Sequence, residues 1–310
     1  MSTAVPNPDN HNPGRPRTGN QQADPGADSG ADSGAEVALT VDGLHVDFVL
    51  DGQTVHAVSD VSFQLHKGKT LALVGESGSG KSTVALSPLR LNPEPPATYP
   101  RGRIMLGETN LLDLPPKQLR RVRGSDIAMV FQDPMSSLNP LKKVGPQVRE
   151  VLRLHQPDAT DHAERTLTAL AEAGIADPER RARQYPHQLS GGLRQRVMIA
   201  MVLVGRPGIL IADEPTTALD VTVQAEILAL LRKLQASHAM AVLLITHDLG
   251  VVAQVADQVA VMNSGQILEH GTVNQVFTNP QHAYTRTLLA ATPRLRRRGA
   301  SRDATEEVTA

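Results

Sequence analysis

A chain of 310 residues can bury a substantial core and suits one large domain or two modest ones. Its formal net charge of −1 gives no support to nucleic-acid binding, which normally leaves a basic excess, so no nucleic-acid partner is expected. With no cysteine, disulfides, thiolate metal sites, iron–sulfur clusters and cysteine nucleophiles are excluded together.

Residues 1–36 are rich in Pro, Gly, Asn, Asp and Ser and repeat Gly-Ala-Asp-Ser at 26–29 and 30–33. Such a stretch has too little apolar surface to offset ordering entropy, and a disordered extension is expected. It also lacks the basic-then-apolar build of a signal peptide. From Val37 the pattern turns strand-like. Leu44, Val46 and Phe48 alternate, and His56-Ala-Val58 and Val61-Ser-Phe63-Gln-Leu65 follow a turn at Asp51-Gly52. This predicts short antiparallel strands leading to the buried run Leu71-Ala-Leu-Val74. A helix is predicted from Lys81 to about Leu91, kinked or shortened by Pro88. A Pro-rich loop at 93–100 and strands at Ile104–Leu106 and Ile127–Phe131 come next.

Between Gln132 and about Val202 the apolar period is helical, with Asp161 and Glu164 spaced as a capping box and Gly174 placed to end that helix. Ile209-Leu-Ile-Ala212 and Ala241-Val-Leu-Leu-Ile245 are continuous apolar runs, as for parallel strands covered on both faces. Between them Val223, Ile227, Leu230, Leu231 and Leu234 fall at helical spacing. Val259–Met262, the turn Asn263-Ser-Gly265 and Gln266–Leu268 read as a hairpin. The longest apolar runs, such as Met198–Val204, reach about a third of the roughly 20 residues needed to span a bilayer, so a membrane-crossing helix is not expected.

Three stretches carry chemistry. Gly75-Glu-Ser77-Gly78-Ser79-Gly80-Lys81-Ser82-Thr83 follows a buried strand and opens a helix, the P-loop pattern. Its glycines let backbone N–H groups point inward at a polyphosphate; Lys81 suits the β- and γ-phosphates and Ser82 suits Mg²⁺. Asp213-Glu214 closes the apolar strand Ile209–Ala212, where Asp213 suits Mg²⁺ and Glu214 the general base for an attacking water. Ser190-Gly191-Gly192 opens a second helix, with Ser190 as N-cap and the glycines leaving N–H groups open to a phosphate. One site needs one such cradle, so the second most simply serves a γ-phosphate held by another subunit.

Leu189-Ser-Gly-Gly192 resembles the signature of ABC transporter ATP-binding subunits. With it, Thr217-Ala-Leu-Asp220 resembles the D-loop, Gln132 the Q-loop glutamine and His247 in Ile245-Thr-His247-Asp248 the switch histidine. The resemblance covers about residues 38–293. It implies an α/β fold: a P-loop NTPase (RecA-like) core with an antiparallel β subdomain and an inserted α-helical signature subdomain. The expected domains are an ATPase domain over 37–293 with the helical insertion at about 133–204, a family-type C-terminal segment at 270–293, and a basic, polar tail at 294–310. It further implies ATP and Mg²⁺ as cofactors. His247 would contact the γ-phosphate, Gln132 would sense Mg²⁺ and the attacking water, Asp220 would act across a dimer, and Gln195 would join the signature at the nucleotide. Phe48, upstream of the P-loop, resembles the adenine-stacking aromatic, with Phe63 or another residue as the alternative.

A narrower likeness lies in Phe131-Gln-Asp-Pro-Met-Ser-Ser-Leu-Asn-Pro140, Tyr185-Pro-His-Gln-Leu-Ser190, Thr246-His-Asp-Leu-Gly250, Phe277-Thr-Asn-Pro280 and His282-Ala-Tyr-Thr285. These resemble the oligopeptide/dipeptide/nickel importer branch, with Ala283 where the branch has Pro, Leu193 where many members have Met, and Pro88 and Gly145-Pro146 as further departures. A branch-type cysteine cluster is ruled out by composition. The branch implies import of peptides or a related solute at the cytoplasmic face of the cell membrane. Partners would be a second ATP-binding subunit, identical or paralogous, two transmembrane permease subunits and, indirectly, an extracytoplasmic solute-binding protein. Two other classes stay open: a soluble ABC-type ATPase acting on nucleic acid or ribosomes, and an unrelated P-loop kinase, which leaves Leu189–Arg196 unexplained.

Overall fold

Two strands of 14 residues each, β1 (Val37–Leu50) and β2 (Gln53–His66), open the fold. The computed structural model describes residues 35–131, 138–216 and 220–291, all within one unit, Asp32–Ala310. Asp51 and Gly52, with φ of 48° and 79°, join β1 to β2 in the paired left-handed conformation of a two-residue hairpin. Where several short strands are expected, two long ones form. Register shifts between Val41 and Leu44, Leu44 and Val46, and Val46 and Asp47 interrupt the period-2 alternation by which a long strand is recognised. β1 also pairs with β4 (Ala97–Thr98), inside the stretch expected to be loop, and with β5 (Arg103–Leu106), which pairs with β6 (Thr109–Asn110).

The second sheet has β3 (Thr70–Val74), β7 (Ile127–Val130), β8 (Ile209–Asp213), β9 (Ala241–Thr246), β10 (Gln258–Asn263) and β11 (Gln266–Thr272) in the order β11-β10-β3-β9-β8-β7. All pairs are parallel except the expected hairpin β10–β11, which turns at Ser264 and Gly265. The apolar runs follow from double burial. Leu71, Leu73, Ile209, Ile211, Leu243 and Ile245 face the antiparallel sheet, in one cluster with Leu44 and Val58. Their neighbours Leu210, Ala212, Val242 and Leu244 face a helical layer holding Leu152, Leu170 and Val197. Each fully buried Leu or Ile contributes about 1.5–3 kcal/mol by leaving water.

Among the described residues the α-helices are α1 (Lys81–Leu86), α2 (Pro116–Val122), α3 (Val144–His155), α4 (His162–Glu172), α5 (Pro178–Ala182), α6 (Gly191–Leu203), α7 (Val221–His238), α8 (Leu249–Val255), α9 (Val273–Thr278) and α10 (Ala283–Ala291). Pro88 shortens α1 as expected, and the chain continues as a single tighter turn over Ser87–Leu89. Gly174, with φ of 73°, ends α4, and Ile175 N donates to Leu170 O at 3.0 Å. The capping box at Asp161 does not form. Asp161 precedes α4 with φ of −94° and ψ of 17°, far from the extended conformation that aims a side chain at the first turn, and its carboxylate lies 4.0 Å from Arg165.

Candidate functional site

Parallel register brings the ends of β3, β8 and β9 to one edge, since Val74 lies opposite Thr246 and Asp213 opposite Ile245. The chain leaves this edge as Gly75 from β3, Glu214 from β8 and His247 from β9. β3 lies between β10 and β9, where the order of connection reverses and an open sheet leaves a crevice for ligand.

The loop Gly75–Gly80 is wedged against two neighbouring strands. At Gly80, with φ of 99°, a Cβ would stand 2.6 Å from Ala57 O and 2.9 Å from Met262 Cε. At Gly75 it would stand 2.0 Å from Met262 O, so no side chain fits at either position. The β10–β11 turn props the loop through Gly265 N, which donates to Ser79 O at 3.0 Å. Ser77 and Gly78 are exposed, Ser79 is buried, and Thr83 is half-buried on α1.

Lys81 is folded into the loop, 6% exposed, its Nζ donating to Gly75 O at 2.9 Å, Glu76 O at 2.7 Å and Ser79 Oγ at 3.3 Å. Burial lowers its pKa, and the charges of Glu214, Asp213 and Glu76 pull the other way. The ammonium is thus held by uncharged oxygens, and a phosphate would offer it stronger, charge-assisted bonds. Ser82 Oγ donates to Asp213 Oδ1 at 3.4 Å. Burial raises the Asp213 pKa, with Ser82 opposing and the Glu214 charge adding to the rise. A hydroxyl and a carboxylate side by side are hard oxygen donors, and the buried carboxylate favours a cation, so the pair fits Mg²⁺. Among the described residues no cluster of three or more His, Asp or Glu could hold a metal on its own. Two protein oxygens leave coordination positions for phosphate oxygens and water.

Glu214 adopts φ of 45°, a conformation a non-glycine residue holds only when its surroundings impose it. Its N–H is tied to Ile245 O at 2.9 Å, and its Oε1 lies 3.0 Å from His247 Nδ1. The glutamate side chain is 19% exposed and the histidine 63%, so a sheltered carboxylate is oriented by an open imidazole.

Ser190 caps α6 as expected, its Oγ accepting from Leu193 N at 3.4 Å. Ser190 and Gly191 are exposed, while a Cβ at Gly192 would touch Val223 Cγ1 at 3.0 Å. Gln195 is not beside them at the surface. It is 1% exposed and donates to Pro215 O at 2.6 Å, tying α6 to the turn after Glu214. Asp220 is exposed and caps α7, accepting from Val223 N at 2.9 Å. Phe48 lies opposite Val55 and Ala97, half-buried against the antiparallel-sheet core. Phe63 is 5% exposed within that core, which leaves Phe48 the more accessible ring. Gln132 and Thr217–Leu219 lie outside the described residues.

Two supports escape a reading of the sequence. Asp248 caps α8, accepting from Gly250 N at 2.8 Å and Val251 N at 3.3 Å; an Asp before an apolar helical run is the signal that marks it. Met262 presses on the loop from β10, and nothing local in the sequence announces that contact.

A phosphate-type loop, an Asp-Glu strand end and a histidine on one sheet edge, beside a glycine-opened helix, define a nucleotide-hydrolysing cassette. Comparison identifies which: the ABC transporter family model matches residues 58–217, and the model of the oligopeptide/dipeptide transporter C-terminal region matches residues 268–309. The chain belongs to the ATP-binding, ATP-hydrolysing subunits of ABC transporters. It is 57% identical over 83% of its length to the peptidoglycan transport ATP-binding protein YejF of Agrobacterium fabrum, of which it spans 47%. It is 52% identical over 86% of its length to the dipeptide transport ATP-binding protein DppD of Bacillus subtilis, of which it spans 79%. The solved dimer of the ATP-binding cassette MJ0796 in a post-hydrolysis state, bound to ADP and Pi, is 28% identical, with a TM-score of 0.67 over 76% of this chain and 98% of that one. These relatives support transport and not action on nucleic acid. No helix among the described residues is long and apolar enough to cross a membrane.

Proposed function

We propose that this chain energises import of peptides or a related solute, working in pairs at the cytoplasmic face of the membrane. A second ATP-binding subunit, two permease subunits and an extracytoplasmic solute-binding protein complete the assembly. The observation that carries the catalytic part is the Glu214–His247 pair, 3.0 Å apart at the strand edge that also holds Lys81, Ser82 and Asp213. Gly75–Thr83 cradles the phosphates, and Lys81 leaves its carbonyl partners for the β- and γ-phosphate oxygens. Ser82 and Asp213 hold Mg²⁺, which when bound neutralises charge on the phosphates. Glu214 orients the attacking water and accepts its proton, His247 steadies Glu214 and the γ-phosphate, and Gln132 senses Mg²⁺ and the attacking water. Phe48 stacks on the adenine. Ser190 and Gly191 face outward and serve the γ-phosphate on the partner's loop, with Asp220 beside that junction. The relatives named for dipeptide and peptidoglycan transport, and the importer-type C-terminal region, support the solute class.

Glu214→Gln keeps the size and one hydrogen-bonding oxygen but removes the base. Turnover is expected to fall by about 100-fold or more while ATP binding persists, with ATP-trapped dimers appearing in size-exclusion chromatography. Turnover within about twofold of wild type would sink the assignment.

A further inference from the structure

The C-terminal segment reaches back to the nucleotide loop at one atom. Tyr284 Oη accepts a hydrogen bond from Glu76 N at 3.3 Å, joining residues 208 positions apart. The Tyr284 ring packs with Leu288 and Leu289 against the cluster of Ala72, Val74, Val259 and Val261, so it is seated on β3 and β10 directly beneath the loop. Its approach is fixed from the edge strand. Glu269 on β11 accepts from Gln281 N at 2.7 Å and His282 N at 3.0 Å, and His282 Nδ1 accepts from Tyr284 N at 3.1 Å. Arg286 Nη1 closes the turn by donating to Pro280 O at 3.1 Å and Gln281 O at 2.9 Å. Burial works against the charge of Glu269, but the N–H groups of Gln281 and His282 help to hold the carboxyl below its ordinary pKa.

Glu76 is consequently held from both sides. Its N–H goes to Tyr284, and its carbonyl accepts from Lys81 Nζ at 2.7 Å and Ser79 N at 3.3 Å. When Lys81 turns to a phosphate, the carbonyl loses its strongest partner, and the Tyr284 bond remains beside the Ser79 N–H to hold this opening step of the loop. We infer that Tyr284 is a positioning residue for nucleotide binding, through which the importer-type C-terminal segment sets the order of the P-loop. The inference rests on the ATPase assignment and goes beyond it by placing α10 in control of nucleotide affinity.

The contact is to the loop and to neither water nor leaving group. Its loss should therefore weaken ground and transition states alike, raising KM with kcat unchanged. A neutral hydrogen bond that preorganises a site corresponds to about threefold to tenfold in affinity. The test is Tyr284→Phe in the full-length chain, which removes the hydroxyl and keeps the ring. The readouts are calorimetric titration with ATP and with ADP, steady-state ATP hydrolysis, and thermal melting. Kd for both nucleotides and KM for ATP should rise by about threefold to tenfold, kcat should stay within about 1.5-fold, and the melting temperature should hold within about 2 °C. Glu269→Gln, which loosens the turn that aims the ring, should move Kd the same way by a smaller factor. Unchanged Kd and KM in Tyr284→Phe would overturn the inference, as would a fall in kcat at constant KM or a loss of affinity that only follows a lowered melting temperature. A wild-type chain that binds no ATP would instead overturn the ATPase assignment itself.

Discussion

At the scale of single residues, Glu214 and Asp213 are neighbours set in opposite ways. The backbone of Glu214 is held in the left-handed region by its bond to Ile245, which aims its carboxylate at His247, whereas Asp213 ends its strand in extended geometry against Ser82. In the nucleotide-free protein, burial raises the Asp213 pKa, so its charge is a cost to the folded state above the usual carboxylate range and no cost below it. Asp213→Asn should therefore raise the melting temperature at pH 7–8 without nucleotide, and the gain should fade as pH falls toward about 4. The same variant should lose the stabilisation that Mg²⁺ and ATP confer together. Equal melting temperatures for the two proteins across this pH range would show that burial does not strain the carboxylate.

At the scale of elements, the helix starts at Ser190 and Asp220 are held by side-chain caps. Asp220 caps the 18-residue α7, and Asp220→Ala should cost about 1 kcal/mol in chemical denaturation. Asn caps as well as Asp, so Asp220→Asn should keep that stability. If Asp220 also acts across the subunit junction, Asp220→Asn should still lower turnover by about threefold or more; full activity in Asp220→Asn would reduce the residue to a cap. What the sequence shows of these elements depends on how local the physics is. The buried strands, the hairpin turn at Ser264-Gly265, the stop at Gly174 and the cap at Ser190 rest on nearby residues and are legible. The single length of β1 is not, because its bulges are set by pairing with β2. Nor is the inward turn of Gln195, which depends on where Pro215 arrives, or the pressure of Met262 on the loop.

At the scale of the whole molecule, the strand edge gathers Lys81, Ser82, Asp213, Glu214 and His247, while Ser190 and Gly191 present a second open helix start at the surface. A site assembled from two chains explains why one sequence carries both. On the proposed shared site, closure would depend on a γ-phosphate contact from the signature helix, and hydrolysis would remove that contact and let the pair open. Gln195 joins α6 to the turn that follows Glu214 and would couple the two in such a closure. The most direct test is ATP turnover per chain as a function of protein concentration, with the oligomeric state followed by light scattering. The shared-site account predicts a rate that rises steeply with concentration and tracks the fraction of dimer, and a Ser190→Arg chain that binds ATP but does not turn it over. A full rate per chain that stays constant down to concentrations where only monomer scatters would contradict it.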